Sequence, residues 1–220
     1  LELGGKNPMV ILEDADLDEA VESAAFGSFF NQGQICMSTD RIIVSSSIAD
    51  TFVAKLTAKV SKMKAGKPGT EGCILGAMVS PDAAARVKRM VEDAASKGAK
   101  LMTGPVQMDG AVLQPVLLDG LTAEMDLYKE EAFGPVVTVL RASSDDEAVR
   151  LANDSEYGLS ASVFSKDIGR AMAVAKRIES GICHINSSTV HDEAQMPFGG
   201  VKSSGYGRFG GKAGVAEFTD

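Results

Sequence analysis

The chain alternates short apolar runs with longer stretches in which apolar residues recur at helical spacing. Residues 9–12 and 42–44 are apolar runs that predict buried strands. Between them, residues 17–29 carry an apolar side chain every three or four positions, which predicts an amphipathic helix. Asp16 precedes this helix and Glu19 follows three residues later, so we expect Asp16 to cap it.

The same alternation continues along the chain. Helical spacing predicts further helices over residues 48–63, 81–98, 145–153 and 168–178, and apolar or β-branched runs predict strands over 136–140, 160–164 and 182–185. We expect Ser47 to cap the helix that follows it, and Gly181 to be a helix C-terminal glycine. Residues 66–76 and 104–110 contain glycines that predict surface loops. The glycine-rich tail, residues 199–214, predicts either a closure over a site or a frayed end.

This order of elements predicts one α/β domain with a mainly parallel open sheet flanked by helices. The length of 220 residues and the hydrophobic content of 45% fit one large globular domain, residues 1–220.

The net charge of −8 disfavours a nucleic-acid partner, because an acidic surface repels phosphate backbones. We expect no membrane partner, because the sequence has neither a bilayer-spanning apolar run nor a signal-peptide pattern. The three cysteines are too few for a disulfide framework, which favours a reducing cytoplasm.

Cys36 is the first candidate for chemistry. It lies in a polar turn, residues 33–39, directly after the first predicted helix. A cysteine thiolate is the most nucleophilic side chain near neutral pH, but it must be reachable, as a glycine-containing turn permits. A lone cysteine is more often a small buried hydrophobic residue, and Cys73 and Cys183, which border or lie within apolar runs, fit that interpretation.

Glu2 is the second candidate. It lies between two leucines, and desolvation by such neighbours raises the pKa of a carboxyl and makes it a usable general base. Gly4 and Gly5 follow it and would let the backbone approach a ligand closely. On these local grounds alone, a solvated glutamate at a chain end stays an open alternative.

Together the two segments resemble the aldehyde dehydrogenase superfamily. The family's glutamate motif is similar to residues 1–8, and its cysteine motif is similar to residues 29–36. The separation of Glu2 from Cys36, 36 − 2 = 34 positions, is usual in the family. Ser38 departs from the pattern, which more often has alanine, glycine or cysteine there. The resemblance implies that Cys36 is the nucleophile and Glu2 the base that activates water.

The resemblance also implies a coenzyme site for NAD or NADP. Residues 129–135 resemble the family's coenzyme-contacting segment. By that resemblance Glu131 would hold the nicotinamide ribose hydroxyls, and Phe133 would pack beside the nicotinamide. Leu3, in the glutamate motif, is a further coenzyme-contacting candidate.

The tail, residues 190–200, resembles the branch of the family that oxidises aromatic aldehydes such as benzaldehyde, salicylaldehyde or vanillin. For such a substrate, Phe30, Ile35 and Phe198 would line a flat apolar tunnel, because aromatic rings stack or pack edge to face. His191 belongs to the loop that, in the family, covers this tunnel. Each of these phenylalanines could instead be a core residue.

The function that the resemblance implies is NAD(P)-dependent oxidation of an aldehyde to the carboxylic acid, through a cysteine thiohemiacetal and a thioester. The family also has a Rossmann-like coenzyme domain before this region, and residues 1–220 lack a Gly-x-Gly-x-x-Gly segment in a strand–turn–helix pattern. We therefore expect the chain to be the catalytic domain of a longer protein, to bind coenzyme weakly and to be inactive by itself. The complete protein is expected to be a homo-oligomer, a dimer or tetramer.

Two other functions stay open at this point. One is a cysteine hydrolase in which His184 or His191 activates Cys36. The apolar neighbours of His184 favour a core residue, and coenzyme reduction with an aldehyde would separate the two activities. The other is a non-enzymatic binding protein, which would be favoured if Cys36 or Glu2 were replaced, and neither is. A metal site is not supported, because two histidines and three scattered cysteines show no ligand spacing.

Overall fold

The predicted strands lie side by side in the computed structural model, which describes residues 1–219. The strands in chain order are β1 (Asn7–Ile11), β2 (Thr39–Ser45), β3 (Lys100–Leu101), β4 (Met108–Asp109), β5 (Val112–Leu113), β6 (Val116–Asp119), β7 (Val136–Ala142), β8 (Tyr157–Gly158), β9 (Ser160–Phe164), β10 (Ile182–Ile185) and β11 (Val201–Lys202). The helices are α1 (Leu17–Phe29), α2 (Ala49–Val60), α3 (Pro81–Ser96), α4 (Asp126–Lys129), α5 (Asp145–Asn153), α6 (Ile168–Ala175) and α7 (Gly211–Ala216).

The largest sheet of residues 1–219 has seven strands in the order β10-β9-β1-β2-β7-β6-β3. All neighbouring strands in it are parallel except β3, which pairs with β6 in the antiparallel direction. The predicted α/β class with a mainly parallel sheet is therefore confirmed. Strands of such a sheet are covered on both faces, which explains why β1 and β9 are buried along their whole length.

The core has one part on each face of the sheet. Successive residues of a strand point to opposite faces, so Met9 belongs to the part of the core that contains Phe52 of α2, and Val10 belongs to the part that contains Val87 of α3. Among the described residues, no helix is both long and apolar enough to cross a membrane.

Asp16 caps α1 as predicted, since its carboxylate accepts the backbone N–H groups of Asp18 (3.0 Å) and Glu19 (3.2 Å). The prediction for Ser47 is wrong. Ile48 takes the cap position of α2, and the Ser47 hydroxyl lies 3.1 Å from that of Ser45. Ile48 packs against the α1–α2 core, so burial of its side chain prevails over a hydroxyl cap.

The prediction that Gly181 ends a helix is also wrong, because α6 already ends at Ala175. A side chain at Gly181 would collide with the carbonyl of Gly199, so this glycine allows a close approach of the tail. The tail is not a frayed end: β11 pairs with β8, and Phe198 bridges to Phe209.

The direction of the parallel strands decides where the candidate residues lie. β1, β2, β7 and β9 run the same way, so the segments that directly precede them share one edge of the sheet, which we call the amino edge. Glu2 precedes β1, Cys36 precedes β2 and Glu131 precedes β7. Residues far apart in the sequence are therefore gathered at the amino edge.

Candidate active site

A left-handed turn delivers Cys36 to the amino edge. After α1 the chain forms a 3₁₀ turn, Phe30–Gly33, in which Asn31 and Gln32 have φ angles of 50° and 59°. Gly33 also has a positive φ, 68°, and a side chain there would collide with the carbonyl of Gly134. Backbone in this region is costly for residues other than glycine and persists where the surroundings enforce it, often at functional sites.

Cys36 is half-buried, and two carboxylates act on its thiol. Burial raises the pKa of Cys36 above the ordinary value of a thiol, and the negative charges of Glu2 and then Glu131 raise it further. The backbone N–H groups of Cys36 and Met37 act in the opposite direction. Both carboxylates are therefore close enough to the thiol to interact with its charge.

Glu2 itself is exposed, and so are its neighbours Leu1 (60%) and Leu3 (58%). The expectation that the two leucines desolvate this carboxylate is therefore wrong for the chain as described. The Leu3 N–H donates to the carbonyl of Ser204 at 3.0 Å, which ties the motif to the tail. Glu2 lines a cavity of about 280 Å³ together with Phe198.

Glu131 meets the glutamate motif directly. Its Oε1 accepts the N–H of Gly5 at 3.1 Å, and a Cβ at Gly4 would lie 2.9 Å from its Oε2. Burial, followed by the negative charge of Asp40, raises the pKa of Glu131 to about 7. Glycine at position 4 is thus what allows the carboxylate to lie against this backbone, whereas a side chain at Gly5 would collide with the carbonyl oxygen of Cys36.

Phe133, the other coenzyme candidate, stands in a strained turn. Its φ is 51°, which is unusual for a bulky residue, and its ring is exposed. Arg86 of α3 holds the segment, since its guanidinium donates to the carbonyls of Glu131 (3.0 Å) and Ala132 (3.1 Å). Glu131, Phe133 and Arg86 line a cavity of about 980 Å³, within the usual size range of ligand sites.

The four substrate candidates lie in different surroundings. Ile35 is half-buried beside Cys36, and Phe198 is buried next to Glu2. Phe30 is exposed and lines a different cavity, of about 450 Å³, between α1 and α2. His191 is exposed on the loop after β10. Phe198 and Phe30 thus line separate cavities, and a shared role of these residues in a substrate tunnel stays a prediction.

The histidines do not pair with the thiol. The His184 ring packs edge to face against that of His191, with 5.7 Å between the ring centres. The groups that act on the pKa of Cys36 are instead carboxylates and backbone N–H groups, apart from burial itself. This arrangement gives the cysteine-hydrolase alternative no support.

The other two cysteines lie elsewhere. Burial raises the pKa of Cys183 to about 12, and Cys73 is half-buried in a loop. Residues 1–219 contain no group of three or more His, Cys, Asp or Glu placed to hold a metal.

The sequence did not reveal a buried ion pair between Lys6, just before β1, and Asp40 in β2. Lys6 Nζ donates to Asp40 Oδ1 at 3.2 Å, and both side chains are almost completely buried. The register of β1 against β2 shifts between Asn7 and Pro8, so Asp40 is the extra residue of a bulge. Burial lowers the pKa of Lys6. Lys6 lies within the glutamate motif, but only the fold shows that a carboxylate meets it.

The family model described as "Aldehyde dehydrogenase family" matches residues 1–220. This chain belongs to the aldehyde dehydrogenase family. It is 60% identical to a vanillin dehydrogenase of Pseudomonas fluorescens over 219 residues and 52% identical to a salicylaldehyde dehydrogenase of Pseudomonas putida over 221 residues. Each alignment covers 100% of this chain, but only 45% and 46% of the relatives, so the chain spans about half their length. The resemblance to the aromatic-aldehyde branch is thereby confirmed.

Solved structures of family members agree with the fold. The structure of salicylaldehyde dehydrogenase from Pseudomonas putida G7 complexed with salicylaldehyde has a TM-score of 0.95 and 50% identity over 100% of this chain and 46% of that one. A betaine aldehyde dehydrogenase from Staphylococcus aureus in complex with NAD+ has a TM-score of 0.93 and 40% identity, over 99% of this chain and 44% of that one. An NADP-dependent glyceraldehyde-3-phosphate dehydrogenase from Bacillus halodurans complexed with NADP has a TM-score of 0.93 and 38% identity, over 98% of this chain and 45% of that one. Both coenzymes therefore occur among the structural relatives.

Proposed function

We propose that the protein containing this chain oxidises an aromatic aldehyde to the carboxylic acid with NAD or NADP, using Cys36 as nucleophile and Glu2 as base. The observation that supports the proposal is the shared edge of the sheet: Glu2 and Cys36 precede the neighbouring parallel strands β1 and β2, and the Glu2 charge raises the pKa of Cys36. The relatives named vanillin and salicylaldehyde dehydrogenase support an aromatic substrate.

The coenzyme candidates fit the nicotinamide end of NAD(P). Glu131 and Phe133 line the 980 Å³ cavity, and Gly4 leaves the room in which the Glu131 carboxylate lies. Carboxylate oxygens accept hydrogen bonds from sugar hydroxyls, and the exposed Phe133 ring offers an apolar face for a planar group. When bound, oxidised nicotinamide supplies the hydride acceptor for the reaction.

The chain's own residues carry the remaining steps. The Cys36 thiolate attacks the aldehyde carbon, and its sulfur–carbon bond gives a thiohemiacetal whose oxyanion the Cys36 N–H can stabilise. Loss of hydride converts this adduct to a thioester. Glu2 then takes a proton from water, the water oxygen bonds to the acyl carbon, and the carboxylic acid leaves as the sulfur is released. Exposure of Glu2 is compatible with this role, since the molecule that Glu2 deprotonates is water.

Two substitutions in the complete protein test the assignment. Cys36→Ser should abolish coenzyme reduction with benzaldehyde, salicylaldehyde and vanillin, because a hydroxyl at this position is a far weaker nucleophile. Cys183→Ser is the matched control and should leave turnover near that of the wild type. Glu2→Gln should release one burst of reduced coenzyme per site and then stop, because the thioester no longer hydrolyses.

Alkylation of Cys36 by iodoacetamide shows whether Glu2→Gln keeps an accessible thiol. Removing the Glu2 charge should make alkylation at pH 7.5 as fast as in the wild type or faster, since that charge raises the pKa of Cys36. Aldehyde oxidation that survives Cys36→Ser, or an unchanged steady rate in Glu2→Gln, would contradict the mechanism. The cytoplasmic location and the dimeric or tetrameric state stay predictions.

A further inference from the structure

Buried side chains hold the backbone carbonyls of three consecutive residues around the thiol. Asn7 Nδ2 donates to the carbonyls of Cys36 and Ser38, each at 2.8 Å. The Thr189 hydroxyl donates to the carbonyl between them, that of Met37, at 2.7 Å. Asn7 and Thr189 are 1% and 0% exposed, so these hydrogen bonds form away from bulk water.

The two side chains are anchored to the same residue of the sheet, the first of β9. The Ser160 N–H donates to Asn7 Oδ1 at 3.0 Å, and the Ser160 hydroxyl donates to the carbonyl of Thr189 at 2.8 Å. Since the Thr189 hydroxyl gives its proton to Met37, the Thr39 hydroxyl is the donor in the 2.7 Å contact between the two threonines. The Cys36 turn is therefore held by two segments of the chain, at Asn7 and Thr189, and both of these are bonded to a third at Ser160.

Fixing these carbonyls also fixes N–H groups. A peptide unit is planar and trans, so the Met37 N–H points away from the Cys36 carbonyl that Asn7 holds. The Ile35 carbonyl accepts the Ser38 N–H at 2.9 Å. The Cys36 N–H belongs to the same peptide unit as this carbonyl, so it points in the opposite direction and is fixed with it. The N–H groups of Cys36 and Met37 lower the pKa of Cys36, against the effect of burial and of the carboxylates, so the orientation of both groups matters to the thiolate.

We propose that Asn7 and Thr189 are positioning residues that hold the Cys36 turn so that the N–H groups of Cys36 and Met37 face Sγ. Backbone N–H groups that converge on one point stabilise negative charge, and they cost no reorganisation when they are already in place. Asn7 and Thr189 act through the backbone and not on the reacting atoms. Their catalytic meaning rests on the proposed function, but their effect on the thiolate requires neither aldehyde nor coenzyme.

The test measures alkylation of Cys36 by iodoacetamide between pH 6.5 and about 10.5 in the complete protein, followed by mass spectrometry of the peptide that contains Cys36. Asn7→Ala should slow the reaction at pH 7.5 by about three- to tenfold, the range that corresponds to the net contribution of one hydrogen bond. The pH midpoint should rise accordingly. Thr189→Val, which keeps the shape but removes the hydroxyl, should cause a smaller shift in the same direction, and Thr189→Ser should restore the wild-type profile.

Asn186→Ala is the matched control. Its side-chain amide makes two similar hydrogen bonds, to the N–H and the carbonyl of Ser165, both at 2.9 Å and both beyond the opposite end of β9. This variant should lose thermal stability without any change in the alkylation profile. Should Asn7→Ala fail to fold, Thr189→Val decides. A pH profile of alkylation in Thr189→Val that superimposes on that of the wild type would overturn the proposal. Failure of the proposed function would give a different result: the complete protein would not reduce coenzyme with an aldehyde, while the variants would still show the expected differences in alkylation.

Discussion

At Glu131, burial and charge act on one carboxyl in the same direction. Its pKa rises to about 7 because the side chain is withdrawn from water and because Asp40 lies near, while the N–H of Gly5 opposes the shift. A carboxyl with a raised pKa holds its proton more tightly in the folded chain than in the unfolded chain. Its ionisation therefore reduces the free energy of unfolding.

For the 220-residue chain, Glu131 should lower stability as the pH rises from its ordinary pKa of 4.5 to about 7. Below pH 4.5 both states hold the proton, and between the two values only the folded state does, so unfolding releases a proton. Glu131→Gln should therefore match the wild type near pH 4.5 and exceed it at pH 8, by at most about 2 kcal/mol after solvent screening. Thermal unfolding across this range measures the difference. Glu130→Gln, at an exposed neighbour, is the control, and an equal offset of Glu131→Gln at every pH would refute the explanation.

The catalytic candidates could be found from the sequence, because their chemistry restricts them to particular residue types in recognisable motifs. The residues that hold them could not. Asn7 lies within a motif, but its role depends on carbonyls 29 and 31 positions away, and Thr189 acts across 152 positions. A buried hydrogen bond between such distant residues leaves no local pattern in the sequence.

At the scale of elements, the apolar pattern predicts contact with the core better than it predicts hydrogen bonding. The predictions for 145–153, 160–164 and 182–185 match α5, β9 and β10. The prediction 168–178 extends past α6, because Ile178 is buried although its N–H donates to Ala175 in a tighter turn. Short elements such as β3 and β8 have too few residues to form a pattern, so the sequence did not predict them.

Helix α3 gives a test at this scale, because it carries Arg86, which holds the proposed coenzyme segment, residues 129–135. The Ser80 hydroxyl accepts the Ala83 N–H at 3.1 Å, and Pro81 occupies the first turn. Ser80→Ala should lower the free energy of unfolding by about 1 kcal/mol, because it leaves that N–H without its cap.

Ser47→Ala is the matched control, since Ser47 precedes a helix without capping it. Its effect should stay within about 0.5 kcal/mol. Urea unfolding of the wild type and of the two variants measures both values. A larger loss of unfolding free energy in Ser47→Ala than in Ser80→Ala would reverse the assignment of the caps.

At the scale of the whole molecule, the proposed coenzyme residues of this chain account for one end of NAD(P). Glu131 and Phe133 suit the nicotinamide end, whereas the sequence lacks the glycine-rich strand–turn–helix segment that holds a pyrophosphate. The family relatives are about twice as long, and their additional length is where such a segment can lie.

Accordingly, the 220-residue chain should bind NAD or NADP at least about a hundredfold more weakly than the complete protein does, because it lacks most of the phosphate contacts. Isothermal titration calorimetry of both proteins measures the two dissociation constants. The chain by itself should also show no aldehyde-dependent coenzyme reduction. Tight, stoichiometric binding by the chain would show that the described residues already form the whole coenzyme site.

The amino edge of the sheet holds the proposed reactive groups, and the strands separate it from the turns at their opposite ends. One of these, at Ser46 and Ser47, is exposed and lies directly after β2, a full strand length from Cys36. A tether for immobilisation, joined there, would fix the protein to a solid support with its chemistry directed outward.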